Sequence, residues 1–284
     1  MRTTRRELLG ALAASSAMTA AQSPSKATRY VRFRHRNAIA HGILEGDTIQ
    51  PIAGYIFGKH QPAGVVRKLS EVKLLAPVAP PKIFAVGLNY RSHLGNRTPP
   101  VNAEIFYKPI TSLQDPDGPI VIPKNATDVH YEGELVVVMG KRLKNGSVEE
   151  ARGAIFGVSC GNDVSERDWQ NGPKKDLQWW RAKGADTFAP LGPVIATGLD
   201  YGKLLLQTRL NGKVVQKQLT SDLLFDCPTI VSWISQHVTL TPGDLIYTGT
   251  PGSTSRMNPG DVVEIDIEGI GVLRNSVVAA SGAS

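Results

Sequence analysis

Apolar and polar positions along this chain fall mostly into short runs of strand period. Tyr30-Val31-Arg32-Phe33-Arg34 alternates apolar and basic residues, the pattern of a half-buried strand. Ile39 to Leu44 follows, then a Glu45-Gly46-Asp47 turn. The run at 82–87 has a buried-strand pattern, and those at 120–123, 135–139, 154–160, 204–210 and 245–248 predict further strands. Val262 to Ile267 alternates and is expected to be the last long strand. Helical signals are fewer: a helix-like piece around 63–72, a short helix over 165–170, and 227–237, where Pro228 suits a first turn. The sum is an α+β class domain dominated by β-structure, with a small β-rich N-terminal segment. Three prolines between Pro77 and Pro81 divide a first piece, 29–76, from the larger remainder, 82–278.

Composition narrows the function classes. The 284 residues are 41% hydrophobic and 20% charged, which is ordinary for a globular protein. The net charge of +7 is raised by the N-terminus, where Arg2, Arg5 and Arg6 face only Glu7. Elsewhere basic and acidic residues interleave, with no Lys/Arg run or aromatic-basic stripe, so nucleic-acid binding is not expected. Residues 1–21 run from a basic start through an Ala-rich apolar stretch to small residues, a signal-peptide layout. Arg5-Arg6 before Leu8-Leu9 is similar to a twin-arginine export signal, which implies a periplasmic or secreted protein. The apolar stretch is too short to remain as a membrane anchor. Two cysteines, Cys160 and Cys227, are expected to be small buried thiols rather than a bridge.

The candidate chemistry begins at Tyr131-Glu132-Gly133-Glu134, directly before an apolar strand. Alternation puts both carboxylates on one face, about 7 Å apart at their Cα atoms. Burying two ionised carboxylates side by side is unfavourable unless a cation neutralises them or one takes a proton. A third acid, Asp163, ends another apolar run. Three convergent carboxylates make a hard oxygen site suited to Mg²⁺ or Mn²⁺, and no His or Cys cluster argues for zinc. Taken alone, a Glu-x-Glu on a strand is a solvated face and an Asp after a strand is a turn or a cap. Their company with other motifs reverses that judgement.

In order, the chain reads Asn89-Tyr90-Arg91-Ser92-His93, Phe106-Tyr107-Lys108-Pro109, Tyr131-Glu132-Gly133-Glu134-Leu135, Asn162-Asp163-Val164-Ser165-Glu166-Arg167-Asp168-Trp169-Gln170, Phe188-Ala189-Pro190-Leu191-Gly192-Pro193 and Thr248-Gly249-Thr250-Pro251-Gly252. This ordered set resembles the fumarylacetoacetate hydrolase family over 29–278. The resemblance implies a mixed β-sandwich roll, a homodimer, and a divalent metal held by Glu132, Glu134 and Asp163. It implies a 2-oxo acid as the small-molecule partner, with His93 and Lys183 catalytic. Arg167 and Gln170, one helical turn apart, are candidates for holding the substrate, as are Thr250 in its tight loop and Lys108.

The chain departs from the family pattern at two places. Hydrolytic members carry a glutamate three residues after the histidine, and here that position is Asn96. Asn can orient an imidazole but cannot stabilise its charged form, and Glu104 is the nearest acid in sequence to take its place. Gly184-Ala185 replaces a Ser-Phe common in the family. The expected activity is hydrolysis of a C–C bond in acylpyruvate-like acids. The alternative is isomerisation, tautomerisation or decarboxylation of a related 2-oxo acid, and a third reading is a silent binder of an anionic metabolite.

Overall fold

A computed structural model describes residues 27–173 and 175–281, so the export signal expected over 1–21 lies outside the described residues. The backbone of the fold is a large mixed sheet. Its centre is Gly133–Met139, buried along its whole length. This strand lies between antiparallel Ile155–Asn162 and antiparallel Leu245–Tyr247. Ile83–Gly87 adds in parallel beyond Leu245–Tyr247, and Glu104–Lys108 closes that side. On the other side Ala189–Thr197 joins Ile155–Asn162 and then pairs with Thr28–His35, Tyr30 opposite Ile195. The N-terminal hairpins are therefore continuous with the main sheet. A second sheet runs in the order Ile120–Ile122, Gly271–Ala279, Val262–Ile267, Leu205–Leu210, Lys213–Leu219.

Alternation along the central strand explains its unbroken apolar run. Leu135, Val137 and Met139 face one core, shared with Leu206, Ile265 and Leu273 of the second sheet and with Ile230 and Ile234 of a helix. Val136 and Val138 face a second core with Ile83, Tyr247 and Tyr30. Each fully buried side chain of this kind is worth roughly 1.5–3 kcal/mol relative to exposure. Helix Cys227–His237 matches its expected span, with Asp226 accepting from the Thr229 amide as N-cap. Both cysteines are buried free thiols, as expected. No helix among the described residues is long and apolar enough to cross a membrane.

Three expectations about elements are corrected, and one strand was not expected. Residues 63–72 form no α-helix: Arg67–Lys68 is a strand and Leu69–Glu71 a single 3-10 turn. Val65 and Val66 there are exposed, so no apolar face exists to hold a helix down. The helix expected at 165 begins at Arg167, capped by Glu166, because Ser165–Glu166 pairs with Val129–His130. Val262–Ile267 is not the last long strand, since Gly271–Ala279 follows it in a hairpin. Its inward positions are Leu273, Asn275 and Val277, and the buried Asn275, which donates to the carbonyls of Asp115 and Gly118, disguises the alternation. Ala189–Thr197 was hidden by Pro190, Gly192 and Pro193, residues that ordinarily argue against a strand.

Candidate active site

The antiparallel register assembles the acids. Gly133 stands opposite Asn162, which places Glu132 across from Asp163, and the Asp163 amide donates to the Glu132 carbonyl at 2.9 Å. Asn162 Oδ1 accepts from the Glu132 amide at 2.8 Å, pinning the junction. Ligand oxygens of Glu132, Glu134 and Asp163 all lie within 4.8 Å of one another, and all three residues are buried. Gly133, between the two glutamates, faces the second sheet. A Cβ there would stand 2.1 Å from Thr208 Oγ1, so only glycine lets the two sheets meet at this point.

Two short helices and the end of strand Glu104–Lys108 supply the cations. Lys183, on Trp180–Gly184, donates to Glu132 Oε2 at 2.6 Å and Asp163 Oδ2 at 2.7 Å. Arg167, at the start of Arg167–Asn171, donates to Glu132 Oε1 at 2.5 Å and to Gln170 Oε1 at 2.6 Å. Lys108 donates to Asp163 Oδ1 at 2.5 Å and also to the Lys183 carbonyl. Glu134 touches no cation among the described residues. Its Oε2 accepts from the Gly249 amide at 2.8 Å. Gly249 sits at φ +105°, and a Cβ would approach Asn89 Cβ to 2.8 Å, so this contact too requires glycine.

The electrostatics follow from that pairing. Burial opposes ionisation of Glu132, yet the charges of Lys183 and Arg167 outweigh it and hold the carboxyl well below the usual range. Burial, then the charges of Asp163 and Glu132, push Glu134 well above it. Burial likewise works against the Lys183 ammonium, but Asp163 and Glu132 more than compensate and raise it. Burial lowers Lys108, with Asp163 opposing. The donor set fits a hard divalent cation: its three ligand groups are all carboxylates, and Glu134 makes no ion pair among the described residues.

His93 lines the same cavity, of about 250 Å³, with Glu132, Glu134, Arg167, Gln170, Lys183 and Thr250. Its Nδ1 donates to the Gly252 carbonyl at 2.5 Å, which leaves Nε2 as the acceptor of the neutral ring. Burial lowers its pKa from the ordinary histidine value, against the pull of Glu132. Asn96 is exposed. Glu104 pairs with Gly87 and lines a neighbouring cleft with Tyr107 and Trp180, not the cavity of His93.

Two sequence expectations change in detail. Lys108 is not among the residues lining the cavity, and its fully buried ammonium donates to Asp163 and to the Lys183 carbonyl. Thr250 lines the cavity, but its hydroxyl donates to the Gly133 carbonyl and accepts from Gln216 Nε2. Reasoning from sequence missed Gln216, which also accepts from the Gly133 amide and donates to the Pro251 carbonyl. On an alternating, partly exposed strand nothing marks it. Phe106 and Trp179, packed edge to face at 5.5 Å, form an apolar wall that was also missed, as was Arg97.

The fold and the site together define a carboxylate-centred enzyme built on a mixed β-roll. Residues 82–278 match the family described as fumarylacetoacetate (FAA) hydrolase C-terminal, and residues 28–77 match a family described as Rv2993c-like, N-terminal. The chain is similar to a crystal structure of 2-hydroxyhepta-2,4-diene-1,7-dioate isomerase from Mycobacterium marinum: 42% identity, TM-score 0.84, covering 90% of this chain and 100% of that one. It is 40% identical over 222 residues to oxaloacetate tautomerase FAHD2A, mitochondrial, of Bos taurus, covering 74% of this chain and 70% of the relative. It is also similar to maleylpyruvate hydrolase from Sphingobium sp. SYK-6 in complex with manganese (II) ion and pyruvate: 29% identity, TM-score 0.74, covering 89% and 100%. The chain belongs to the fumarylacetoacetate hydrolase family.

Proposed function

We infer that this protein is a divalent-cation-dependent isomerase or tautomerase of 2-oxo acids. The observation that carries the reading is the setting of His93, whose imidazole is oriented by a backbone carbonyl and not by a carboxylate. Enol-to-keto conversion takes a proton from an enol hydroxyl and delivers one to the neighbouring carbon. That requires a neutral base near the substrate, and His93 Nε2 fits it. Its lowered pKa keeps the ring neutral at neutral pH. Arg167 and Lys183 hold fixed positive charge beside the cavity, where it favours an anionic substrate and the enolate charge that develops as the proton leaves the enol oxygen. Glu132, Glu134 and Asp163 would hold Mg²⁺ or Mn²⁺, which when bound supplies Lewis acidity. The likeness to an isomerase and a tautomerase at 42% and 40% identity supports this reading.

Hydrolysis of a C–C bond is the second reading, supported by the likeness to maleylpyruvate hydrolase. It asks His93 to activate water, and at the position where the resemblance implies an orienting glutamate for that step this chain has the exposed Asn96. The test uses metal-stripped protein given Mg²⁺ or Mn²⁺, with oxaloacetate and acetylpyruvate, following enol absorbance and pyruvate release together. Metal-dependent enol loss without pyruvate release, abolished by His93→Ala, is the expected result. Metal-dependent pyruvate from acetylpyruvate would move the assignment to hydrolysis. We also propose export through the Arg5-Arg6 signal and assembly as a homodimer, tested by a reporter fused to residues 1–28 and by sedimentation.

A further inference from the structure

We propose that Thr254, His130 and Asp128 form a hydrogen-bonded chain that positions the Arg167 guanidinium at the cavity; the effect on rate rests on the isomerase or tautomerase reading above. Three segments far apart in the sequence meet at Arg167. Val129–His130 pairs with Ser165–Glu166, directly before Arg167, and the Arg167 amide donates to the Asp128 carbonyl at 2.9 Å. The loop after Gly252 is clamped to the same strand: His130 bridges to Arg256, and the Met257 amide donates to the Val129 carbonyl at 2.8 Å. Thr254, in that loop, has its hydroxyl oxygen 2.8 Å from Arg167 Nη2 and 2.9 Å from His130 Nδ1. His130 Nε2 stands 2.9 Å from Asp128 Oδ1.

The chemistry of the four groups fixes the direction of every bond. A guanidinium only donates, so the Thr254 oxygen accepts from Arg167. The Asp128 carboxylate only accepts, so His130 Nε2 carries the hydrogen. Nδ1 is then the acceptor of the neutral ring and takes the Thr254 hydroxyl proton, which has no other acceptor among the described residues. Asp128 sets the imidazole tautomer, the imidazole aims the hydroxyl, and the hydroxyl holds the guanidinium. The His130 and Arg167 side chains are 15% and 16% exposed, so water competes little for these bonds. Arg167 has two other side-chain acceptors, Glu132 Oε1 and Gln170 Oε1. Glu132 belongs to the candidate cation site. Thr254 and Gln170 therefore hold the two Nη nitrogens independently of what Glu132 binds. A charge held in this way needs little reorganisation as enolate charge develops.

The experiment uses the full chain with Mg²⁺, oxaloacetate as the probe, and NMR of nitrogen-labelled histidine and arginine side chains. Thr254→Val keeps the shape and removes the hydroxyl. It should lower kcat for enol loss about tenfold, the scale of one charge-assisted hydrogen bond, with KM changed by less than about threefold because the charge itself remains. Thr254→Ser should recover most of the rate. His130→Leu should cost about threefold, and nothing further once Thr254→Val is present, because His130 acts only through the hydroxyl. At about pH 8 the His130 signal, identified by its loss in His130→Leu, should show the Nε2–H tautomer. The Arg167 Nη signals should be separate in the wild type and merge in Thr254→Val, as a released guanidinium rotates faster. The tautomer is read in the unsubstituted chain, so it decides the chain of bonds even where a variant does not fold. An Nδ1–H tautomer, Arg167 signals unchanged in Thr254→Val, or independent rate losses from Thr254→Val and His130→Leu overturns the proposal. Absence of enol loss in the wild type overturns the isomerase reading, and the Arg167 signals then decide the positioning by themselves.

Discussion

Replacing Glu134 with Gln should make the metal-free protein more stable while abolishing its response to Mg²⁺. Glu134 is fully buried, faces the charges of Asp163 and Glu132, and meets no cation among the described residues. Gln keeps the shape and can still accept the Gly249 amide bond made by Oε2. The magnitude comes from linkage. A carboxyl whose folded-state pKa is raised contributes stability that is fully present below the unfolded value, about 4.3, and is lost as pH rises through the folded value. Between those two values the wild type loses about 1.4 kcal/mol per pH unit relative to the variant, which carries no titrating group there. For a domain of this size each kcal/mol moves Tm by about 2–4 °C. The assay is thermal unfolding in EDTA at pH 5, 6 and 7, wild type beside Glu134→Gln, then the same series with Mg²⁺. The variant should gain on the wild type at each step in EDTA. With Mg²⁺ at about 100 times its Kd the wild type should recover about 2.7 kcal/mol and the variant none. A pH-independent gap, or a wild type that gains on the variant as pH rises, would refute the argument that Glu134 is held uncompensated.

Three further outcomes are expected. Lys108→Met leaves Asp163 buried with Lys183 as its one remaining ionic partner, and urea unfolding should show a loss of about 3–5 kcal/mol in the metal-free protein. Gly133→Ala drives a methyl to within 2.1 Å of Thr208 Oγ1, and should cost about 1–3 kcal/mol by overpacking, with Thr208→Ala in the same chain recovering part of it in chemical denaturation. Burial raises both thiols, Cys227 to about 12, so a thiol reagent at pH 8 should label neither in the native protein and both after denaturation.

Much of this site was legible in the chain because its residues carry chemistry that is unusual for their place. Two glutamates flanking a glycine before an apolar run, and an aspartate ending another, pose a neutralisation problem once the ordered motifs around them argue that they are buried together. Arg167 and Gln170 were legible from helical spacing, and they do meet each other. The strands around Gly133–Met139 and the helix Cys227–His237 were legible because continuous apolar runs and a proline-led helix start act locally. Local signals failed where a residue serves a partner far along the chain. Asn275 reads as polar and is buried on Asp115 and Gly118 carbonyls; Lys108 reads as a reaching cation and is spent on Asp163.

The sequence by itself determined that three acids stand at the ends of apolar strands, within a set of motifs that resembles a metal-binding family, and that the histidine has Asn96 where a carboxylate would stand. Those properties belong to residue types and short spacings. Tertiary structure alone decided which acid is left uncompensated, because that depends on Lys183 and Arg167 reaching Glu132 while Glu134 receives only an amide. It alone decided that His93 is oriented by Gly252, 159 residues along the chain, and that Arg97 faces a cavity instead of an acid. Electrostatic pairing acts over a few ångströms in space with no regard for separation along the chain, so it is fixed only when the sheets have closed.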